Sequence, residues 1–188
     1  MILAYLRQRF RLSFFGPLAL VLAGTALGRP ASVMDLAAAT AGGLLLLAQF
    51  RIWDDIADHA HDAIAHPERV LARATSLTPL AALGMALLAI NVGMALRRDA
   101  AVVSTLCLAL LHIVLGGYYL LRRGRTVLGD QVLLVKYPAF VCILAGERLV
   151  VSPLPVILGA AIVYAAASAY EAWHDPISPL AQYLGGRS

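Results

Sequence analysis

The chain has 188 residues, of which 61% are hydrophobic and only 14% are charged. Soluble domains carry about 25% charged residues, so this composition excludes an ordinary soluble domain and indicates a polytopic membrane protein. The net charge of +4 comes from 15 basic and 11 acidic residues. Since no basic stretch is interleaved with aromatic residues, we expect no nucleic-acid partner, and we expect membrane lipid around the chain.

Six apolar segments follow one another, each close to the length of about 20 residues that a membrane helix needs. The first follows three arginines, and an uncleaved span is favoured over a signal peptide. The fifth is interrupted by polar residues and a proline, and the tail from Leu180 to Ser188 is expected to be short and mobile. The sequence therefore predicts an all-α membrane bundle of about six transmembrane helices, forming one domain over residues 1–188. The first segment ends at Leu27. The other five cover about Met34 to Phe50, Leu77 to Leu96, Ala101 to Leu121, Val127 to Val151 and Pro153 to Trp173.

The arginines between these segments predict the orientation of the chain in the membrane. With the N-terminus inside, ten arginines fall on the inner side and four on the outer side, as the positive-inside rule requires. We therefore expect an integral protein of a bacterial inner membrane, with both termini in the cytoplasm. The inner arginines are Arg7, Arg9, Arg11, Arg51, Arg69, Arg73, Arg122, Arg123, Arg125 and Arg187, and the outer ones are Arg29, Arg97, Arg98 and Arg148.

Four aspartates, Asp54, Asp55, Asp58 and Asp62, stand at the end of the second apolar segment. A helical spacing of i, i+4 and i+8 places three of them on one face, where like charges repel each other. Charged groups beside hydrocarbon are costly and mark a functional site. Magnesium relieves such repulsion, because it accepts a few carboxylates and fills its other positions with water and phosphate oxygens. The sequence therefore predicts a Mg²⁺ site here.

This stretch also carries a resemblance to a known family. Asp54-Asp55-x-x-Asp58-x-x-x-Asp62, followed by His66-Pro67-Glu68-Arg69, resembles the first aspartate-rich motif of the UbiA superfamily of membrane prenyltransferases. Two positions depart from the family pattern: Asp54 stands where Asn is usual, and Val70 stands where a second Pro is usual. The spacing and the place after an apolar helix both match the family.

A second acidic pair, Glu171 and Asp175, ends the sixth segment with i, i+4 spacing. It resembles the D-x-x-x-D motif of the family, and the predicted topology places it on the same membrane face as the first motif. Solvated acids at a helix end are the alternative interpretation. Two facing acidic clusters suit an allylic diphosphate, because magnesium ions bridge carboxylates and diphosphate oxygens and neutralise the leaving group.

Several basic residues are candidates for holding the diphosphate. Arg51 lies one turn before an aspartate, so an i, i+4 ion pair and a substrate contact are both open. The stretch that ends in Arg122 and Arg123 resembles the Tyr-x-x-Leu-Lys-Arg element of the family, although basic residues after a span are also topology signals. Lys136 lies inside a predicted span and needs a partner, for which Asp130 or a substrate are the candidates.

Other polar residues have local interpretations. Glu147 and Arg148 predict an ion pair at the membrane interface, and His112 predicts a hydrogen-bonded histidine in the core. His59 and His61 do not share a helix face, which disfavours a zinc or iron site.

The resemblance implies a magnesium-dependent enzyme that transfers a prenyl group from a prenyl diphosphate to a small aromatic or lipid-like acceptor. Family members have nine spans and this chain matches six, so either six helices close a smaller cavity or a homodimer or partner subunit completes the wall. A terpene cyclase of the UbiA type and a non-catalytic accessory subunit are the alternatives. The implied roles are catalysis by Asp54, Asp58, Asp62, Glu171 and Asp175, magnesium binding by these five with Asp55, and diphosphate binding by Arg51, Arg122, Arg123 and Lys136.

Overall fold

The structure is a computed structural model that describes residues 1–29, 32–122, 124, 126–175 and 178–185. These described residues form eleven helices and no strand, which confirms the all-α prediction. In chain order the helices are α1 (Ile2–Arg9), α2 (Leu12–Leu27), α3 (Val33–Ala57), α4 (His59–Ala65), α5 (Thr78–Leu96), α6 (Ala101–Leu121), α7 (Val127–Leu134), α8 (Lys136–Ala145), α9 (Glu147–Val151), α10 (Pro153–His174) and α11 (Pro179–Gly185).

Five helical segments are long and apolar enough to cross a membrane, namely α3, α5, α6, α10 and the pair α7–α8 taken as one segment. α1 and α2 pass the same test only together, and their axes differ by 68°. The bend falls at Phe10 and Arg11, whose backbones leave the helical region. The described chain is therefore a multi-pass membrane protein by helix length and hydropathy, with five spans, or six if the bent pair counts as one.

The predicted fifth span is divided into three helices. The Thr126 hydroxyl accepts a hydrogen bond from the Gly129 amide at 3.0 Å and so caps the start of α7. α8 begins at Lys136, and Pro138 lies in its first turn, where a missing amide hydrogen costs the helix nothing. α8 ends at Gly146, which has a φ of +52°. The break before Lys136 leaves the only lysine at a helix start, close to the end of α3.

Six helices pack side by side in a closed ring, in the order α2, α3, α5, α6, α8 and α10. α8 also contacts α2 and α3, so it lies towards the middle of the bundle. The main apolar core joins these helices, and a second cluster joins α1, α3 and α5. The largest fully buried side chains include Leu22, Phe50, Leu115, Phe140 and Leu144 in the core, and Tyr5, Ile52 and Leu80 in the second cluster.

A chain of polar side chains crosses the bundle between α3, α5 and α6. The Asn91 amide donates to Gln49 Oε1 at 2.7 Å, and Gln49 Nε2 lies 2.7 Å from His112 Nε2. His112 Nδ1 lies 2.7 Å from the Leu108 carbonyl, so Nδ1 must carry the proton and Nε2 accepts from Gln49. The prediction of a hydrogen-bonded core histidine is confirmed, and these bonds satisfy polar groups between apolar helices.

At the end of the bundle opposite the aspartates, two arginines satisfy the last carbonyls of helices. Arg148 donates to the Ala26 carbonyl at 2.8 Å and the Thr25 carbonyl at 3.2 Å, at the C-terminus of α2. Arg98 donates to the Leu144 carbonyl at 2.8 Å, near the end of α8. Positive charge is favourable at a helix C-terminus. Within the described residues Arg148 makes no ion pair with Glu147, so that prediction is wrong.

The C-terminal residues 179–185 form a helix, which the sequence pattern does not predict, and the mobility of the tail stays a prediction. α11 begins with Pro179, which suits a first helical position, and it packs against α7 and α10. The Ser178 hydroxyl accepts from the Ala181 amide at 3.1 Å, and the Leu180 amide donates to Asp130 at 3.4 Å. Residues 186–188 lie outside the described part of the chain.

Replacing Gly28 tests the packing of Arg148 against the end of α2. Gly28 has a φ of +66°, and an added Cβ would lie 2.4 Å from Arg148 Nη2. We expect Gly28→Ala to lower the stability by about 2 kcal/mol or more, because it combines left-handed backbone strain with displaced charged hydrogen bonds. Thermal unfolding in detergent measures the loss. Gly24→Ala in α2, where an added Cβ meets nothing within 4 Å, is the matched control. Equal melting temperatures for the two variants would contradict this interpretation.

Candidate functional site

A cavity of about 850 Å³ opens at the end of the bundle where α2 begins and α3 ends. Its deeper wall is apolar and its mouth is polar, so the cavity itself is amphipathic. Residues of α2, α3, α8 and α10 supply the apolar wall, while α1 and the helix ends supply the mouth. The wall includes Phe14, Phe15, Leu18, Val21, Leu47, Phe50, Phe140, Val163, Ala166 and Ala167, and the mouth includes Gln8, Arg9, Arg11, Ser13, Arg51, Asp54, Lys136, Glu171 and His174.

The cavity lies where α2 and α10 separate. Away from the mouth these helices approach closely, since a Cβ added to Gly159 would lie 2.5 Å from the Thr25 methyl group. At the mouth they meet again through Phe14 and Tyr170, whose ring centroids are 5.8 Å apart. Small side chains such as Ala166 and Ala167 leave room between these two contacts. The spacing of bulky and small residues along the two helices therefore creates the apolar part of the cavity.

Asp54 reaches the cavity from α3 and is held by two partners from other helices. Lys136 of α8 forms an ion pair with Asp54 Oδ2, and the Tyr119 hydroxyl of α6 donates to Oδ1. The side chains of Asp54 and Lys136 are only 13% and 12% exposed. The sequence suggests Asp130 or a substrate as the partner of Lys136, whereas the structure places the lysine on Asp54.

Asp55 is buried behind the mouth and joins α1 to α3. It accepts from the Tyr5 hydroxyl at 2.7 Å, and from Arg9 Nη2 at 2.6 Å and Nε at 3.1 Å. Arg51 Nη2 lies farther away, at 3.3 Å. The i, i+4 ion pair that the sequence allows for Arg51 is therefore present. The bidentate contact with Arg9 is the tighter one and folds α1 back over the end of α3.

The remaining two aspartates of the first motif lie outside the cavity lining. Helical hydrogen bonds continue across the break between α3 and α4, since the Asp58 and Asp62 amides donate to residues four positions earlier at 2.9 Å. Asp58 pairs with Arg122 Nη2 at 2.7 Å, and Arg122 also donates to the Ala57 carbonyl at 2.8 Å. Asp62 pairs with Arg69. These contacts bind the helix junction to α6 and to the following loop.

The second acidic pair is divided between the cavity and the helix end. Glu171 lines the cavity, whereas Asp175 is the C-cap residue of α10 and is absent from the lining. Arg123 lies outside the described residues. Of the predicted site residues, the cavity lining thus brings together Arg51, Asp54, Lys136 and Glu171.

The described carboxylates do not form a ready-made magnesium site. Across residues 1–29, 32–122, 124, 126–175 and 178–185, no three side chains of Asp, Glu, His or Cys converge in a way that would hold a metal ion. Each aspartate of the first motif contacts at least one basic side chain instead. The five basic partners are Lys136 for Asp54, Arg9 and Arg51 for Asp55, Arg122 for Asp58, and Arg69 for Asp62. Magnesium binding by these residues stays a prediction.

Sequence reasoning missed the contribution of α1 and of Tyr119. Arg9 and Arg11 line the cavity, although their positions before the first span indicate only topology. The sequence feature that could have indicated this role is the spacing of Arg7, Arg9 and Arg11 directly before an apolar segment, with Tyr5 one helical turn before Arg9. Tyr119 belongs to the element that resembles the family motif before Arg122, but nothing in that motif points to Asp54.

Comparisons with protein-family models, with curated proteins and with solved structures found no match to this chain. The resemblance to the UbiA superfamily therefore rests on the motif residues themselves, and membership of that family stays a prediction.

A double-mutant cycle on Asp54 and Lys136 tests their coupling. Removing one partner leaves a charge in a poorly hydrated site, so we expect Asp54→Asn and Lys136→Met each to lower the stability by about 3 kcal/mol. The double variant should recover most of this loss, because it leaves neither charge behind. Chemical unfolding in detergent measures the four proteins. Additive losses in the double variant would contradict the pairing.

Proposed function

We propose that this chain is a membrane-embedded prenyltransferase, which takes a prenyl diphosphate and passes the prenyl group to a small aromatic or lipid-like acceptor. The observation that carries this proposal is the cavity, whose cationic mouth leads directly into an apolar, aromatic-lined wall. A ligand with an anionic headgroup and a long apolar tail matches both the cationic mouth and the apolar wall of the cavity. The volume of about 850 Å³ lies within the range of about 300–1,000 Å³ that is typical of ligand pockets.

The residues of the cavity suit the charge changes of prenyl transfer. The allylic C–O bond breaks and its electron pair leaves with the diphosphate, while the acceptor carbon forms the new bond and releases a proton. Cations at the mouth, including Arg51 and Lys136, stabilise the charge of the departing diphosphate. Phe15 and Tyr137 present aromatic rings to the cavity, backed by the fully buried rings of Phe50 and Phe140, and this aromatic wall stabilises an allylic cation and excludes water.

The surroundings of the helices support a location in a lipid bilayer. On α6, the apolar side chains of Val102, Leu106 and Ile113 are 71%, 56% and 69% exposed, so the other described residues leave them largely uncovered. The distribution of arginines supports an orientation with both termini in the cytoplasm, and a bacterial inner membrane remains the proposed location. The closed ring of six helices favours a compact cavity made by one chain over a wall completed by a homodimer or a partner subunit.

A terpene cyclase is the second candidate, and the aromatic wall is the observation that favours it. Cyclases need several rings around a migrating cation, and the cavity offers the accessible rings of Phe14, Phe15 and Tyr137. The first step is the same in both candidates, and only the nucleophile differs: an internal alkene in a cyclase and a separate acceptor in a transferase.

Release of pyrophosphate from geranyl, farnesyl and geranylgeranyl diphosphate tests the proposal, with the full chain in nanodiscs and magnesium present. We expect release by the wild-type chain, with a hydrocarbon product in the cyclase case and with acceptor dependence in the transferase case. Neither release nor binding of any of the three compounds would contradict the proposal and favour an accessory membrane subunit.

A cavity-filling variant tests whether the apolar wall holds the tail. Ala167→Phe adds bulk inside the wall, and overpacking costs about 1–3 kcal/mol, so we expect geranylgeranyl diphosphate to lose about tenfold or more in affinity relative to geranyl diphosphate. Ala165→Phe lies two residues earlier on the exposed side of α10 and is the matched control. If both variants changed chain-length preference equally, the tail would lie elsewhere.

A further inference from the structure

The charge of the cavity is the starting point for a second conclusion about ligand recognition. Among its described lining side chains, four are cationic, namely Arg9, Arg11, Arg51 and Lys136. Two are carboxylates, namely those of Asp54 and Glu171. With a neutral histidine, the lining side chains carry an excess of two positive charges, and Asp55, which lies behind the lining against Arg9 and Arg51, lowers this excess to one. A low-dielectric pocket of this sign attracts an anion and repels a divalent cation, because both interactions are strong away from water.

The carboxylates near the mouth already have counter-ions. Lys136 neutralises Asp54, and two arginines neutralise Asp55, of which Arg9 is the closer one. A magnesium ion that bridged these carboxylates to a diphosphate would compete with those cations for the carboxylate oxygens. An anionic headgroup needs no such exchange, because it can bind to the cations directly.

Arg51 has hydrogen-bonding capacity left over for a ligand. Its Nε is buried and has no hydrogen-bond partner among the described residues. Its Nη2 lies 3.3 Å from Asp55, a carboxylate that keeps its bidentate contact with Arg9 if Arg51 turns away. Leaving a buried donor unsatisfied is costly, so an acceptor that binds at Arg51 relieves that cost. A diphosphate supplies several negatively charged acceptor oxygens, and guanidinium groups form strong, charge-assisted hydrogen bonds with such oxygens.

We propose that the headgroup of the ligand binds to Arg51 and Lys136 directly and without a divalent metal, with Asp54 and Asp55 as the resting counter-ions of the empty cavity. The ligand class is a diphosphate ester of an apolar chain, so this inference rests on the proposed function. It concerns recognition, and it leaves the role of magnesium in the chemical step as a separate prediction.

Direct binding of farnesyl diphosphate to the full chain in nanodiscs of neutral lipid, in EDTA and in magnesium, tests the inference. We expect the two dissociation constants to agree within about threefold, which is less than 1 kcal/mol. Farnesol measures the contribution of the apolar tail alone, and inorganic pyrophosphate measures that of the headgroup alone. Both should bind more weakly than farnesyl diphosphate. Farnesol that bound as tightly as farnesyl diphosphate would overturn the inference.

Two variants test the mode of recognition. In EDTA, Arg51→Gln should weaken binding by about tenfold or more, the loss expected for one charged hydrogen bond. In magnesium, Asp54→Asn should leave binding equal or tighten it, because it releases Lys136 to the headgroup, whereas recognition through a metal bridge would be weakened in the same variant. Arg97→Gln, at an exposed position outside the cavity lining, is the matched control and should bind as the wild type does.

The outcomes separate this inference from the proposed function. Binding that falls by about tenfold or more when magnesium is removed, or that disappears in Asp54→Asn, would overturn direct recognition and leave the prenyl diphosphate enzyme standing. Absence of farnesyl diphosphate binding in both solutions would overturn the inference, and the same result with geranyl and geranylgeranyl diphosphate, without pyrophosphate release, would overturn the proposed function as well. Because the comparison of EDTA with magnesium uses the wild-type chain, the test does not depend on the folding of any variant.

Discussion

Compensation of the four aspartates at the end of α3 is the constraint on which the rest of the structure depends. A carboxylate beside hydrocarbon needs a positive partner, and each partner comes from a different part of the chain: Arg9 from α1, Lys136 from α8, Arg122 from the end of α6 and Arg69 from the loop after α4. Exposed ion pairs contribute little to stability, whereas breaking a buried pair is costly. The pairs of Asp54 with Lys136 and of Asp55 with Arg9 therefore hold α8 and α1 against α3 more strongly than the more exposed pair of Asp58 with Arg122 holds the end of α6.

The same compensation shapes the cavity. Arg9 brings α1 back over the end of α3, which places Arg9 and Arg11 at the mouth above the gap between α2 and α10. The bend after Phe10 and the helix break before Lys136 are the local features that allow both cations to reach their aspartates. As a result the polar rim and the apolar wall adjoin, and an amphiphilic anion is the ligand that suits both.

Hydropathy predicts most of the fold, since α3, α5, α6 and α10 coincide with continuous apolar segments, and α-helical spacing predicts the contact of Arg51 with Asp55. The partner of Lys136 is 82 residues away and depends on how α3 and α8 pack, which periodicity does not encode. Arg148 binds carbonyls at the end of α2 rather than its neighbour, and this contact depends on the packing of segments more than 120 residues apart, which local sequence does not encode. α11 is only seven residues long, too short for a periodic pattern to show.

Photoaffinity labelling with a prenyl diphosphate that carries a diazirine near the end of its tail tests the central claim most directly, because it locates the ligand without relying on turnover. We expect labelled peptides from the cavity-lining parts of α2 and α10, around Leu18, Val21, Val163 and Ala167, and we expect unlabelled farnesyl diphosphate to prevent the labelling. Labelling confined to the outer faces of α5 and α6, or labelling that unlabelled compound does not reduce, would contradict the claim that this cavity binds the prenyl chain.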